Sequence, residues 1–519
     1  MNRLKYFFVN GMLLTAVTLF LRTVVVAFNV YISNKIGAVA MGLFGLISTV
    51  YNFGVTLATS GVNLATTRLV SEELGRNQTD ETRLLRLKAI MNKSLGYSLS
   101  FGLLAGAILF VLAEPIGYGA LEDGRTIRSL KILSITLPFI AVSSSLSGYF
   151  SALRKVYKNA IVQVFGQFLK IYACIFLFSL FNSNDVENAC VSIVLGGAIA
   201  EISSFMLQFV LYVIDKHNLR KHKPAANIGK GILKKIFSIT LPVTFSSYLR
   251  SGLVTVEHLL IPWGLKKSGS TQEGSLAAYG TVSSMVFPLI LFPSAISSSF
   301  ASLLIPEMAE SNAMADTKRI KRIAERVFKT VLIFSIGTAG LIMCFSYELG
   351  DTFYPKADAS RFILMIAPLI PVMYLDTSVD SMLKGLGKQT YTMLINVIDA
   401  TLSVILVFIL LPRLGIYGFV ITVYFTEIVN ATLSVTYLLS VCKIKVSLFN
   451  WIAKPLFCII ISTAIMRYVL SAFDVIARTK IEALFHIACG AVVYLLLLML
   501  TKAIDIKGLK VTASRLRRE

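Results

Sequence analysis

The run Leu69-Val70-Ser71-Glu72 closes one long apolar stretch, and 235 residues further on Leu304-Ile305-Pro306-Glu307 closes another. The correspondence extends in both directions. Phe44-Gly45 matches Tyr279-Gly280 at the same offset, and Ala152-Leu153-Arg154-Lys155 matches Gly385-Leu386-Gly387-Lys388 at an offset of 233. A half-chain duplication among apolar stretches is typical of transporters, which place their substrate path between two repeats.

Composition sets the medium in which those repeats fold. Across 519 residues 55% are apolar, 15% are charged and the mean hydropathy is +0.74, beyond what a soluble domain carries. Apolar stretches long enough to cross about 30 Å of hydrocarbon can be placed at 9–32, 41–63, 94–113, 129–150, 159–181, 189–214, 236–262, 276–305, 327–346, 361–382, 389–411, 415–441, 449–470 and 482–500. The expected fold is therefore an all-α polytopic membrane protein with fourteen transmembrane helices. Arg3 and Lys5 precede an apolar run too long for a signal core and without a small-x-small cleavage site, so the first span is expected to stay as a helix.

Of the 50 lysines and arginines, 34 fall on one predicted side, 11 on the other and 5 within spans, with residues at span ends counted in the adjoining loop. Positive residues collect in the cytoplasm, so the bias predicts a multi-pass protein of the cell membrane with both termini inside. It also accounts for the net charge of +22 without nucleic acid, since no aromatic-interleaved basic module accompanies the charge. The basic segments Arg76 to Lys93, Lys216 to Lys235, Lys318 to Lys329 and Lys502 to Arg518 would face the anionic inner leaflet.

Six spans precede the loop at 216–235, which holds Pro224 and Gly229. Six more follow, and two helices from Phe449 onward have no counterpart in the repeat. The expected division is 1–222, 223–445, and 446–519 for the extra helices and basic tail. An even number of spans per lobe gives both copies one orientation, related by an axis along the membrane normal. The amphipathic run from Arg68 to Leu74 and on to Lys88 reads equally as a helix on the cytoplasmic interface or as a solvated connection.

Charges inside spans are the functional candidates, because a mid-span arginine costs about 2.5–3.5 kcal/mol on insertion scales. Arg22 shares a helix face with Thr15, Thr18 and Asn29, and the second span repeats the pattern with Asn52, Thr56, Thr59 and Asn63. Such stripes resemble the walls of a hydrated cavity. In the seventh span Tyr248-Leu249-Arg250-Ser251 matches Phe20-Leu21-Arg22-Thr23 at an offset of 228, and Glu257 follows Arg250 by seven residues, with Ser247 nearby. Arg22 and Arg250 are expected to converge on a substrate cleft. The alternative is an Arg250–Glu257 structural pair or snorkelling to an interface.

Lys170 and Asp399 are further candidates, with Gln163 and Asn396 at repeat-equivalent positions; snorkelling or helix pairing would also account for them. Glu257 and Asp399 could couple an ion. Glu201 and Glu427 suit helix packing, and Asp376, Asp380 and Lys384, spaced by four, suit a self-satisfied charge ladder. Pro288 and Pro293 among serines, and Pro368 with Pro371, interrupt the eighth and tenth spans, where broken helices supply bending points or exposed backbone. The six cysteines and four histidines show no ligand spacing. No metal, cofactor or catalytic residue is expected, and the chain is expected not to be an enzyme.

Three motifs carry a family resemblance: Ile36-Gly37-Ala38 through Gly42-Leu43-Phe44-Gly45, then Thr56-Leu57-Ala58-Thr59-Ser60-Gly61, then Leu69-Val70-Ser71-Glu72-Glu73-Leu74. Together they resemble the N-terminal signature of the stage V sporulation protein B group. That group belongs to the polysaccharide exporters of the multidrug/oligosaccharidyl-lipid/polysaccharide (MOP) superfamily, beside the MviN/MurJ-type lipid II flippases. The resemblance implies a MATE-like fold and a flippase that moves an undecaprenyl-pyrophosphate-linked sugar between leaflets, in support of peptidoglycan or spore-cortex assembly. It further implies a monomer, with the lipid-linked substrate, membrane lipids and cell-wall synthesis enzymes as partners, Arg22 as a cavity arginine and the last two helices as a groove for the lipid tail. The competing reading is a cation-coupled multidrug antiporter, which needs a membrane carboxylate. A glycosyltransferase would instead present acidic residues on a sizeable outer loop, and every outer loop here is short.

Overall fold

A computed structural model describes residues 2–59, 61–74, 80–181, 185–217, 231–355, 357–444, 447–473 and 479–503. Side chains at 2–15, 80–83, 216–217, 242–243, 299–303 and 306 lie outside that description, as do Pro224, Gly229, His222 and the basic stretches at 75–79, 218–230 and 504–519. The described residues are overwhelmingly helical and contain no strand. Contacts divide the chain into two compact units: residues 1–28 with 35–280, and residues 29–34 with 281–519.

The first unit is built from α1 (Asn2–Thr59), α2 (Val62–Leu74), α3 (Asp80–Pro115), α4 (Thr126–Ala152), α5 (Val156–Leu180), α6 (Val186–His217), α7 (Ile232–Lys267) and α8 (Gln272–Tyr279). The second contains α9 (Phe287–Leu291), α10 (Ser294–Ala313), α11 (Thr317–Cys344), α12 (Ser346–Phe353), α13 (Ala359–Ile366), α14 (Ile370–Gly385), α15 (Gln389–Leu414), α16 (Ile416–Cys442), α17 (Lys454–Ala472) and α18 (Lys480–Leu500). All fourteen expected spans fall on helical segments.

Among the described residues, twelve stretches are long and apolar enough to cross a membrane. One of them, Ala16–Leu74, runs for 59 residues and holds the first two spans, divided where Gly37 takes φ 78° and ψ 175°. That conformation is open to glycine and strained for other residues. Helix α7 is absent from the twelve because its hydroxyls, Arg250, Glu257 and His258 dilute its apolar content. It packs against α2, α3 and α8. The packing border at 280/281 therefore differs from the repeat border expected at 222/223.

The first core gathers Leu69, Leu87, Leu146, Tyr149, Tyr212 and Ile236. Leu69, Val70 and Glu73 are buried, so α2 packs its apolar side against α3 and α4 while Arg68 and Glu72 pair at 2.8 Å on the exposed side. The run from Arg68 to Leu74 is thus a helix with its apolar side packed on the bundle, and its continuation through 75–79 lies outside the described residues. The second core gathers Phe328, Met382, Trp451 and Tyr494, which joins α17 and α18 to α11 and α14.

The prolines break the helices where the sequence places them. A π-helical turn at Gly280–Val286 and a turn at Pro293 divide the eighth span, and a 3-10 turn at Ala367–Leu369 divides the tenth. Backbone carbonyls freed in hydrocarbon need partners. Within the second unit Tyr354 donates to the Met285 carbonyl at 3.2 Å and Tyr374 to that of Ile290 at 2.7 Å.

Candidate substrate cleft

Helices α1 and α7 are tied side by side within the first unit. The Tyr248 hydroxyl donates to the Leu57 carbonyl at 3.0 Å, and the Ser251 hydroxyl to Thr56 Oγ1 at 3.3 Å. Gly252 faces the Phe53 ring across this seam. Between the helices opens a cleft of about 510 Å³. Helix α1 contributes Thr49, Asn52 and Thr56 to its walls; α7 contributes Ser247, Arg250, Ser251, Val254, Thr255 and His258. Both sets follow the three-to-four-residue spacing of one helix face.

Several wall hydroxyls are oriented by their own helices: Thr49 donates to the Gly45 carbonyl, Thr56 to that of Asn52 and Thr255 to that of Ser251, at 2.8–2.9 Å. Their oxygens keep lone pairs free to accept. Arg250 is exposed and has no ion pair or hydrogen bond among the described residues, so the Arg250–Glu257 pair considered from the sequence does not form. His258 Nδ1 lies 2.8 Å from the hydroxyl of buried Tyr279, which fixes the ring and leaves Nε2 as its other polar atom. The lining therefore combines one fixed cation, five hydroxyls, an amide and an imidazole, with no carboxylate. Such a surface favours an oxygen-rich anion over a cation.

The structure brings Asn52 and Arg250 together and distributes the remaining candidates elsewhere. Arg22 is exposed on α1 and is not among the lining residues. Asn29 groups with the second unit. Asn63 donates to the Ser144 carbonyl of α4 at 3.1 Å, serving helix packing. Lys170 on α5 interacts electrostatically with Glu201 on α6. Glu257 is half-buried and outside the lining; helical geometry sets it about 20° beyond Arg250, away from Ser251 and Thr255. His258 takes the position expected of Glu257, and its spacing of eight from Arg250 was the available signal.

In the second unit half-buried Asp399 interacts electrostatically with Asp376, whose carboxylate accepts from Asn430 at 3.3 Å. Asp380 pairs with Lys384 at 3.1 Å. The expected ladder is thus split: Asp376 turns to α16, and its other oxygen is buried without a hydrogen bond.

Residues 8–312 match the polysaccharide biosynthesis protein family, and residues 268–409 match the MatE family. The chain belongs to the polysaccharide biosynthesis protein family. It is 24% identical to stage V sporulation protein B of Bacillus subtilis (strain 168) over 92% of each chain, and 25% identical to lipid II flippase MurJ of the same organism over 72% of each. Among solved structures, lipid II flippase MurJ in an inward closed conformation aligns with a TM-score of 0.67 at 17% identity, covering 94% of this chain and 98% of that one. This family member is a multi-pass membrane transporter with the MATE- and MurJ-like fold.

Proposed function

We propose that the protein flips a lipid-linked oligosaccharide or peptidoglycan precursor, carried on undecaprenyl pyrophosphate, across the cytoplasmic membrane by alternating access. The observation that carries this reading is Arg250: a permanent cation with no counter-ion among the described residues, on a hydroxyl-rich wall that has no carboxylate. A diphosphate leaving water needs fixed donors, and arginine stays charged and offers a bidentate fork. The hydroxyls and Asn52 supply partners for the sugar. Arg22 is proposed as a second cation for the same headgroup on its path.

The division into 1–222, 223–445 and 446–519 is kept as the repeat plan, with both termini cytoplasmic. Helix α17 walls an apolar groove of about 720 Å³ in the second unit, which suits a prenyl tail. Glu257 and Asp399 are proposed to couple transport to an ion, Asp399 through its proximity to Asp376. Support for cell-wall or spore-cortex synthesis follows from the relatives named above. A cation-coupled drug antiporter is the less favoured reading, because the cleft lining lacks an acidic group.

The test is reconstitution of the full chain in vesicles with labelled lipid-linked substrate. Leaflet exchange is expected for the wild-type chain and lost in Arg250→Ala. Exchange at the wild-type rate in that variant would remove the headgroup site.

A further inference from the structure

Two apolar grooves, one in each unit, occupy the same place in the repeat. The first, about 600 Å³, runs between α3 and α4 past Gly106, Phe110, Ile135 and Pro138. The second, about 720 Å³, runs between α11 and α13–α14 past Gly340, Cys344, Pro368 and Pro371. Each pair is separated by 233 or 234 residues, the offset already seen between Ala152 and Gly385, and Glu114 and Glu348 extend the series.

The grooves differ in their outer wall. In the second unit α17 lies along α11, so closely that a Cβ on Gly340 would stand 2.3 Å from Ile459 Cγ1. Two turns later Arg467 of α17 grips Glu348 through both guanidinium nitrogens, at 2.5 and 3.2 Å. It also donates to the Cys344 carbonyl and sits 5.5 Å from the Phe345 ring centroid. In the first unit no helix among the described residues takes that position. Leu103, Val111 and Ile135 are 54%, 72% and 58% exposed, and the Glu114 side chain, 60% exposed, meets Lys131 at 2.6 Å.

We propose that the α3–α4 groove docks one transmembrane helix of a partner protein, lying along α3 as α17 lies along α11. That helix carries a lysine or arginine about two turns from a branched apolar residue and brings the cation to Glu114. Apolar surface alone does not select a helix over lipid tails, which are as apolar as leucine. The carboxylate at the groove's end does: Lys131 engages its Oε1 alone, so Oε2 is left to a cation carried by the docking helix, which a lipid tail does not supply. The site takes one helix and not a pair: Gly337 accepts Tyr494 of α18 in the second unit, and its counterpart in the first is Leu103.

The experiment places a photo-crosslinking amino acid at Ile135 of the full chain in its native membrane, with Tyr172, 70% exposed on α5, as the control position. Expected at Ile135 and not at Tyr172 is one discrete adduct. By mass spectrometry its peptide is a membrane-spanning segment of another protein with Lys or Arg at the stated spacing. Glu114→Lys, or Glu114→Gln should the reversal lower membrane yield, reduces the adduct by about fivefold, the scale of one screened ion pair. Lys131→Ala does not reduce it. Lipid adducts alone, a peptide from a soluble domain or from a second copy of this chain, or indifference to both Glu114 variants would overturn the proposal.

Discussion

Arg250 is tolerated in a span because hydroxyls and an amide share its cleft, which keeps its surroundings polar without neutralising it. Truncation removes the charge and the fork together. Hydrogen bonds to charged groups contribute about 1.5–3 kcal/mol each, so Arg250→Ala is expected to weaken headgroup binding by at least about tenfold, while Arg250→Lys keeps the charge and recovers part of the exchange. Binding of substrate to the purified chain measures both. At His258 the dependence is structural: Tyr279→Phe leaves Nδ1 without its partner and should destabilise the chain by about 1 kcal/mol, read as a lower unfolding temperature, with His258→Ala giving a similar shift. Spacing alone made Asn52 and Arg250 legible, since both lie on regular polar stripes. Asn63 lies on an equally regular stripe and is turned to α4, because a helix's neighbours are not written in its own periodicity.

At the scale of elements, α1 crosses the end of α8 with a glycine on each side of the contact. A Cβ on Gly42 would stand 2.0 Å from the Leu276 carbonyl oxygen, and one on Gly280 2.3 Å from that of Ala38. No rotamer relieves a clash with backbone, so Gly280→Val is expected to cost more than the 1–3 kcal/mol of ordinary overpacking and to abolish folded protein in detergent, measured by size-exclusion chromatography. The turn between α3 and α4 is held differently. Arg125 meets the Asp123 carboxylate at 2.6 Å through Nη2 and 2.9 Å through Nε, and donates its backbone amide as well. Burial alone would raise the Asp123 carboxyl, but the Arg125 hydrogen bonds and charge together outweigh it and hold it below the usual carboxylate range. A depressed carboxyl adds stability above its unfolded-state value and loses it as pH falls through the folded one. Asp123→Asn should therefore lower the unfolding temperature at pH 7 and converge with wild type in strong acid. Proline made the breaks at Pro293 and Pro368 readable from sequence. The packed state of α2 was not readable, because its charged face resembles that of an interfacial helix.

For the whole molecule, the charge bias carries the topology. Single cysteines in a cysteine-free background test it: Arg154→Cys, between α4 and α5, is expected to react with an impermeant maleimide only from the cytoplasmic side, and Ser270→Cys, between α7 and α8, only from outside. The all-helical, multi-pass character of the chain was legible because hydrocarbon thickness leaves direct marks on the sequence. The grouping of α7 with the first unit was not, since it depends on which surfaces meet. The central claim is that Arg250, which has no ion pair among the described residues, holds the anionic headgroup in the α1–α7 cleft during transfer. It is tested most directly by leaflet exchange of a labelled undecaprenyl-pyrophosphate sugar in vesicles holding wild-type or Arg250→Ala protein at equal density. The account predicts exchange with the first and none above protein-free vesicles with the second; equal exchange by both would contradict it.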